Sequence, residues 1–182
     1  VITKDSGTPG VRAVVGTGLA AAVGAPLGLR PPQLWSGLRT GALTAGAVAA
    51  VVASLAAVPR VRKGMIDRRV PTDPVRWLAL EIPVATVWTE EMLFRGVLQT
   101  VAVRALGPTA GPLVQAAAFG LWHIPDAKRV GDPVVGTVVV TGVAGWVFGW
   151  LAKRSGSLLA PMLAHMAFNE SAAVAALVLQ RR

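Results

Sequence analysis

Apolar residues come in long runs along this chain, and polar residues gather in short clusters between them. Val11 to Leu29 carries one charge, Arg12, and Gly41 to Val58 carries none. Four further runs follow, at about Trp77 to Val103, Thr109 to Ile124, Val134 to Ala152 and Leu158 to Leu179. At 1.5 Å per residue the first is long enough to cross about 30 Å of hydrocarbon as an α-helix. Gly107-Pro108, Pro125, Gly131 with Pro133, and Ser155-Gly156 separate the later runs. The pattern predicts an all-α fold, a polytopic transmembrane helical bundle of about six spans. The first run is long for a signal peptide and five more spans follow it, so it is read as a retained helix. Residues 1–76 then hold two N-terminal transmembrane helices and a basic cytoplasmic loop, and residues 77–182 hold a four-helix core.

Composition agrees with a membrane protein. Hydrophobic residues make up 53% of the 182 and the mean hydropathy is +0.58, too apolar for an ordinary soluble domain. The net charge of +9 needs no nucleic acid to explain it, because Lys and Arg collect in loops that stay beside anionic lipid on the cytoplasmic side. The stretch Arg60 to Arg76 is the most basic in the chain. Six spans put both termini on one side. That side, with the Arg60 to Arg76 loop, Lys128-Arg129 and Arg181-Arg182, has twelve of the 18 basic residues, and the other side has five. The positive-inside rule therefore places both termini in the cytoplasm, in what is expected to be a bacterial cytoplasmic membrane. There is no cysteine, which excludes disulfides, thiolate metal sites and cysteine nucleophiles.

An ionisable group within a span costs about 2.5–3.5 kcal/mol on insertion scales, so each one calls for a partner or a task. Glu81, Glu90, Glu91, Arg95, His123, His165 and Glu170 are such groups. In T-E-E-M-L-F-R-G, Thr89 to Gly96, Glu91 and Arg95 stand at i and i+4 and can pair along one helix face. Glu90 is turned about 100° away, free to point into a cavity. A plainer reading, in which both glutamates only balance Arg95 and other helices, stands beside this one. Phe119 and His123 share a face in the fourth span, and His165 and Asn169 do so in the sixth. Small residues in the last three spans, among them Gly120, Gly145, Gly149 and Ala164, would let these helices approach closely. A carboxylate, two imidazoles and an amide facing one cavity can activate water and stabilise an oxyanion, which points to hydrolysis.

These three motifs, Glu90-Glu91-x-x-x-Arg95, Phe119-x-x-x-His123 and His165-x-x-x-Asn169, resemble those of the CAAX-protease and bacteriocin-processing family of intramembrane endopeptidases, which includes the type II CAAX prenyl endopeptidases. The similarity runs from about Leu80 to Ser171 and includes the G-W-V-F-G-W-L-A-K-R-S-G-S-L-L-A-P-M-L-A-H segment. It implies that Glu90 is the general base, with His123 beside it to position or polarise water. His165 and Asn169 would hold the oxyanion, Glu91 and Arg95 would brace the site, and Phe119 would pack at its wall. The family has been described both as zinc metalloproteases and as metal-independent glutamate proteases. Glu90, His123 and His165 could supply three zinc ligands and leave a water position, but they would have to meet from separate helices, and the His-Glu-x-x-His helix of other zinc proteases is absent. Both courses stay open. The partners implied are membrane lipid and a peptide or membrane-protein substrate. Prenylated CAAX substrates are not carried over.

Two features run against a simple picture. With only two spans before the core, the chain is short for the family, so a gate or groove built from extra helices is reduced. Helical rise also puts Glu90 and His165 about 20 Å from the cytoplasmic ends of their spans, while His123 sits near the end of its own. Tilt or a break near Pro83 would have to bring them level. Two other functions use the same buried groups: a non-catalytic scaffold or immunity protein that binds a peptide partner, and a small proton-coupled transporter. The transporter is the weaker of the two, since the spans show no inverted repeat. Ser155-Gly156-Ser157 reads as a turn between spans rather than a serine nucleophile.

Overall fold

The computed structural model of the chain describes residues 9–181. Lys4 and Arg182, both counted above toward the cytoplasmic side, lie outside that range. The regular structure among the described residues is helical throughout. Helix α1 is Pro9–Ala22, α2 is Gln33–Leu55 and α3 is Pro59–Asp67. Helix α4 covers residues 74–106 and α5 residues 108–122, divided where Gly107 adopts φ 84° and ψ 175°. Helices α6 (Ile124–Val130), α7 (Val134–Ser155) and α8 (Leu159–Gln180) complete the bundle. Gly131 and Gly156, both left-handed, cap α6 and α7, as glycine permits without a Cβ clash.

Among the described residues only α2, α7 and α8 are both long and apolar enough to cross a membrane unaided. The other three expected spans fall short for separate reasons. Helix α1 has 14 residues, α5 is cut short by Gly107, and α4 carries the ionisable motif. The first span in particular ends earlier than its hydropathy predicts. After Ala22 the chain leaves the helix through Gly24 and Gly28, both at positive φ, and Leu158 N–H donates to Leu27 O at 2.9 Å. This apolar segment is a loop packed against the start of α8. The basic stretch after Val58 is not all loop either, since it folds as α3. Gln180 ties α3 to the end of α8 by donating to Met65 O and Arg68 O.

Helix α4 starts on Pro74, with the Asp73 carboxylate accepting from Arg76 N–H at 3.0 Å, a side-chain cap followed by proline at the first helical position. It is then π-wound over Trp77–Trp88 and Met92–Leu98, with a short α-helical turn, Thr89–Glu91, between. Pro83 lies in the first π stretch, where its missing N–H breaks the i to i−4 ladder. Thr89 Oγ1 donates to Val84 O, five residues back. Both glutamates of the motif therefore sit in the α turn between two π stretches, a winding that recurs at functional sites.

Glycines set the helix spacings. A Cβ on Gly41 of α2 would stand 3.0 Å from Ala160 Cα of α8, and one on Gly120 of α5 would stand 2.6 Å from Val138 O of α7. Helix α1 lies along the π-wound part of α4, where Trp88 Nε1 donates to Thr17 Oγ1 at 2.9 Å. These seams bring α4, α5, α7 and α8 around one buried cluster.

Candidate active site

Glu91 and Arg95 anchor that cluster. Their side chains are fully buried, and Arg95 Nη1 donates to Glu91 Oε1 at 3.0 Å. Arg95 Nη2 also donates to Gly145 O of α7 at 3.3 Å. The guanidinium carbon lies 4.1 Å from the Phe119 ring centre and 5.0 Å from that of Phe148, so aromatic faces supply attraction where water cannot. One cation is thus held by α4, α5 and α7 together.

Glu91 has a second task. Its Oε1 accepts from His165 Nδ1–H at 2.8 Å, a link between α4 and α8. A carboxylate on Nδ1 fixes the tautomer and the ring plane, and leaves Nε2 as the reactive nitrogen. Phe148 stacks on the His165 ring at 5.0 Å, and Phe119 meets it edge-on at 6.0 Å. His165 Nε2 lies 3.8 Å from Glu90 Oε2, beyond hydrogen-bond range. That oxygen is buried and has no hydrogen-bond partner. Glu91 is therefore tied to two helices through Oε1, whereas Glu90 makes no hydrogen bond among the described residues and lines a cavity beside an imidazole.

His123 follows the last residue of α5. Its Nδ1–H donates to Phe119 O at 2.7 Å, since a carbonyl can only accept, and again Nε2 is left for other partners. Its ring packs edge-on against Phe119, centres 4.8 Å apart. Asn169 Nδ2 donates to His165 O at 3.2 Å, which leaves its second N–H available. Despite the difference in depth expected from helical rise, His123 lines one cavity with His165 and Asn169.

The groups line two adjoining cavities rather than one. The first, about 320 Å³, is walled by Phe119, His123, Phe148, His165 and Asn169. Thr89, Glu90 and Trp122 wall the second, about 580 Å³. Trp77, Asp126 and Arg129 belong to both, and Asp126 pairs with Arg129. Glu90 thus reaches the junction from one side and His165 from the other. Glu81 also lines the second cavity, 3.4 Å from Arg76, and Glu170 makes no ion pair among the described residues.

A catalytic zinc needs three side chains to converge on one point. Among the described residues no group of three His, Asp or Glu side chains is placed to hold a metal ion. Glu90, His123 and His165 come from three helices; each imidazole is oriented through Nδ1 with Nε2 left free, as zinc-bound histidines commonly are, but the three side chains do not converge on one point as placed.

Phe148 was not among the site residues expected from the sequence, and Gly145 was expected only as a packing residue. Their signal was the glycine spacing in α7, which reads as a packing seam. Gln99 and Gln115 carry no charge, so a search for ionisable groups in apolar runs passes over both. A family model described as type II CAAX prenyl endopeptidase Rce1-like matches residues 72–170, just over half of the chain and every residue of this cluster. No curated protein and no solved structure matches the chain.

Proposed function

Because the chain belongs to the Rce1-like family of type II CAAX prenyl endopeptidases, we propose that it hydrolyses a peptide bond within the membrane, with Glu90 as general base. The family is one of membrane-embedded proteases, so its surroundings are lipid and its substrate is a peptide. The observation that supports the assignment to Glu90 is that it lines a cavity with Oε2 3.8 Å from His165 Nε2, while Glu91 is tied to Arg95 and His165.

The peptide lies across the junction of the two cavities. His123 Nε2 accepts a hydrogen bond from the attacking water, and Glu90 takes the other proton as the water oxygen bonds to the scissile carbonyl carbon. The carbonyl oxygen becomes an oxyanion. It receives the free N–H of Asn169 and an N–H from His165 Nε2, which requires the doubly protonated imidazole. As the tetrahedral intermediate collapses, the C–N bond breaks and Glu90 returns its proton to the leaving amine. Fixed donors aimed at the developing charge, in a site closed to bulk water, supply most of the acceleration.

Purified protein should cleave a membrane peptide. Glu90→Ala should lower kcat by about 10³-fold and His123→Ala by about 10²-fold, within the range general acid–base catalysis supplies. Equal rates in all three proteins would remove the mechanism. A glutamate base needs no metal, so exhaustive chelation should leave the rate unchanged. Loss on chelation with recovery on added zinc would contradict the glutamate-base reading.

A further inference from the structure

A third polar pocket, about 450 Å³, lies on the other side of Arg95 from the two cavities. Arg95, Gln99, Arg104 and Lys153 line it. Arg104 closes its rim by donating to Val23 O and Gly24 O. Nothing in the hydrolytic mechanism uses it. Between it and Glu90, α4 presents Glu91, Arg95 and Gln99 at steps of four residues, one stripe of the helix.

That stripe is where the unpaired polar atoms are. The buried side-chain nitrogens and oxygens without a hydrogen-bond partner among the described residues are Glu90 Oε2, Glu91 Oε2, Arg95 Nε, Gln99 Oε1, and Nε2 and Oε1 of Gln115. All belong to the stripe, to the glutamate beside it, or to Gln115 of α5. Gln115 is wholly buried. A Cβ on Gly149 of α7 would stand 2.5 Å from Gln99 Oε1 and 3.2 Å from Gln115 Oε1. Two acceptor oxygens thus converge on a glycine from separate helices. Neither oxygen can donate to the other, while a water can donate to both. Buried polar groups are almost always paired, and water pairs those the protein does not.

We propose that Gln99, Gln115, Arg95 and Glu91 hold a file of water that joins the pocket at Arg104 and Lys153 to the Glu90 carboxylate. This rests on the hydrolytic reading above and deepens it. Each turnover consumes one water, and a peptide seated across the two cavities covers Glu90 from their side. The file refills the site from the opposite end of the bundle. Gly149 keeps its narrowest place open.

The chain has no cysteine, so one introduced thiol reports alone. In full-length protein reconstituted with known orientation, Gln99→Cys should react with a charged, membrane-impermeant thiol reagent added from the Lys153 side. Val101→Cys, whose position is half-exposed on the outside of α4, should not. Gln115→Leu should keep the melting temperature and KM of the wild type and lose about tenfold in kcat, the effect of one hydrogen bond's worth of lost water positioning. A purely structural Gln115 would leave kcat unchanged. An unreactive Gln99→Cys, or Gln115→Leu at the wild-type rate, overturns the proposal. Should Gln99→Cys fail to fold, a water cross-peak to the Gln115 side-chain amide of the wild-type protein decides it, and absence of the peak counts against the file. Failure of the hydrolytic reading looks different: hydrolysis would survive Glu90→Ala while thiol labelling stayed as expected.

Discussion

Glu90 and Glu91 are adjacent in sequence and have opposite surroundings. Glu91 accepts from Arg95 and His165 through one oxygen, and Glu90 keeps an unpartnered oxygen at the cavity junction. Their substitutions should therefore fail differently. Glu91→Ala strands a fully buried guanidinium and should reduce stability by about 3–5 kcal/mol, read as a lowered melting temperature in detergent. Glu90→Ala should melt near the wild type and be inactive. The Glu91–Arg95 pair was legible in the sequence because its spacing is local. The Glu91–His165 bond was not, because it joins residues 74 apart and no helical period reports on it. Gln99 and Gln115 were missed for want of charge, although Gln99 continues the Glu91 and Arg95 spacing.

At the scale of elements, the seam between α5 and α7 positions His123. Gly120→Ala would press a methyl group toward Val138 O and the Gly142 backbone. Overpacking of this kind costs about 1–3 kcal/mol. The variant should melt lower and also lose kcat, because α5 ends on His123; an unchanged kcat would detach His123 from the reaction. Helix α2 begins at Gln33, well before the uncharged run expected from Gly41, whereas the limits of α7 and α8 could be read from hydropathy, since apolar runs between glycine and proline breaks define them. The winding of α4 could not be. Pro83 announces a break, but apolar content does not distinguish i to i−4 from i to i−5 bonding. Val23 to Leu29 misleads for the converse reason: its residues are apolar, yet two glycines and Pro26 bend it out of the helix.

The whole molecule has two dissimilar ends. At one, α3 and its basic neighbours meet the end of α8, and at the other Arg104 and Lys153 rim the third pocket. We place the α3 end in the cytoplasm by charge, so a reporter fused after Gly131 should read cytoplasmic and one fused after Ser155 external. The reverse result would invert the topology. At this scale the three motifs identified the family, because their order along the chain survives where single contacts do not show. The most direct test of the central claim is the Glu90→Gln variant, which keeps the shape of the side chain and removes its basicity. Purified beside the wild type, it should bind the membrane peptide with unchanged affinity and release no product; cleavage at the wild-type rate would contradict Glu90 as the base.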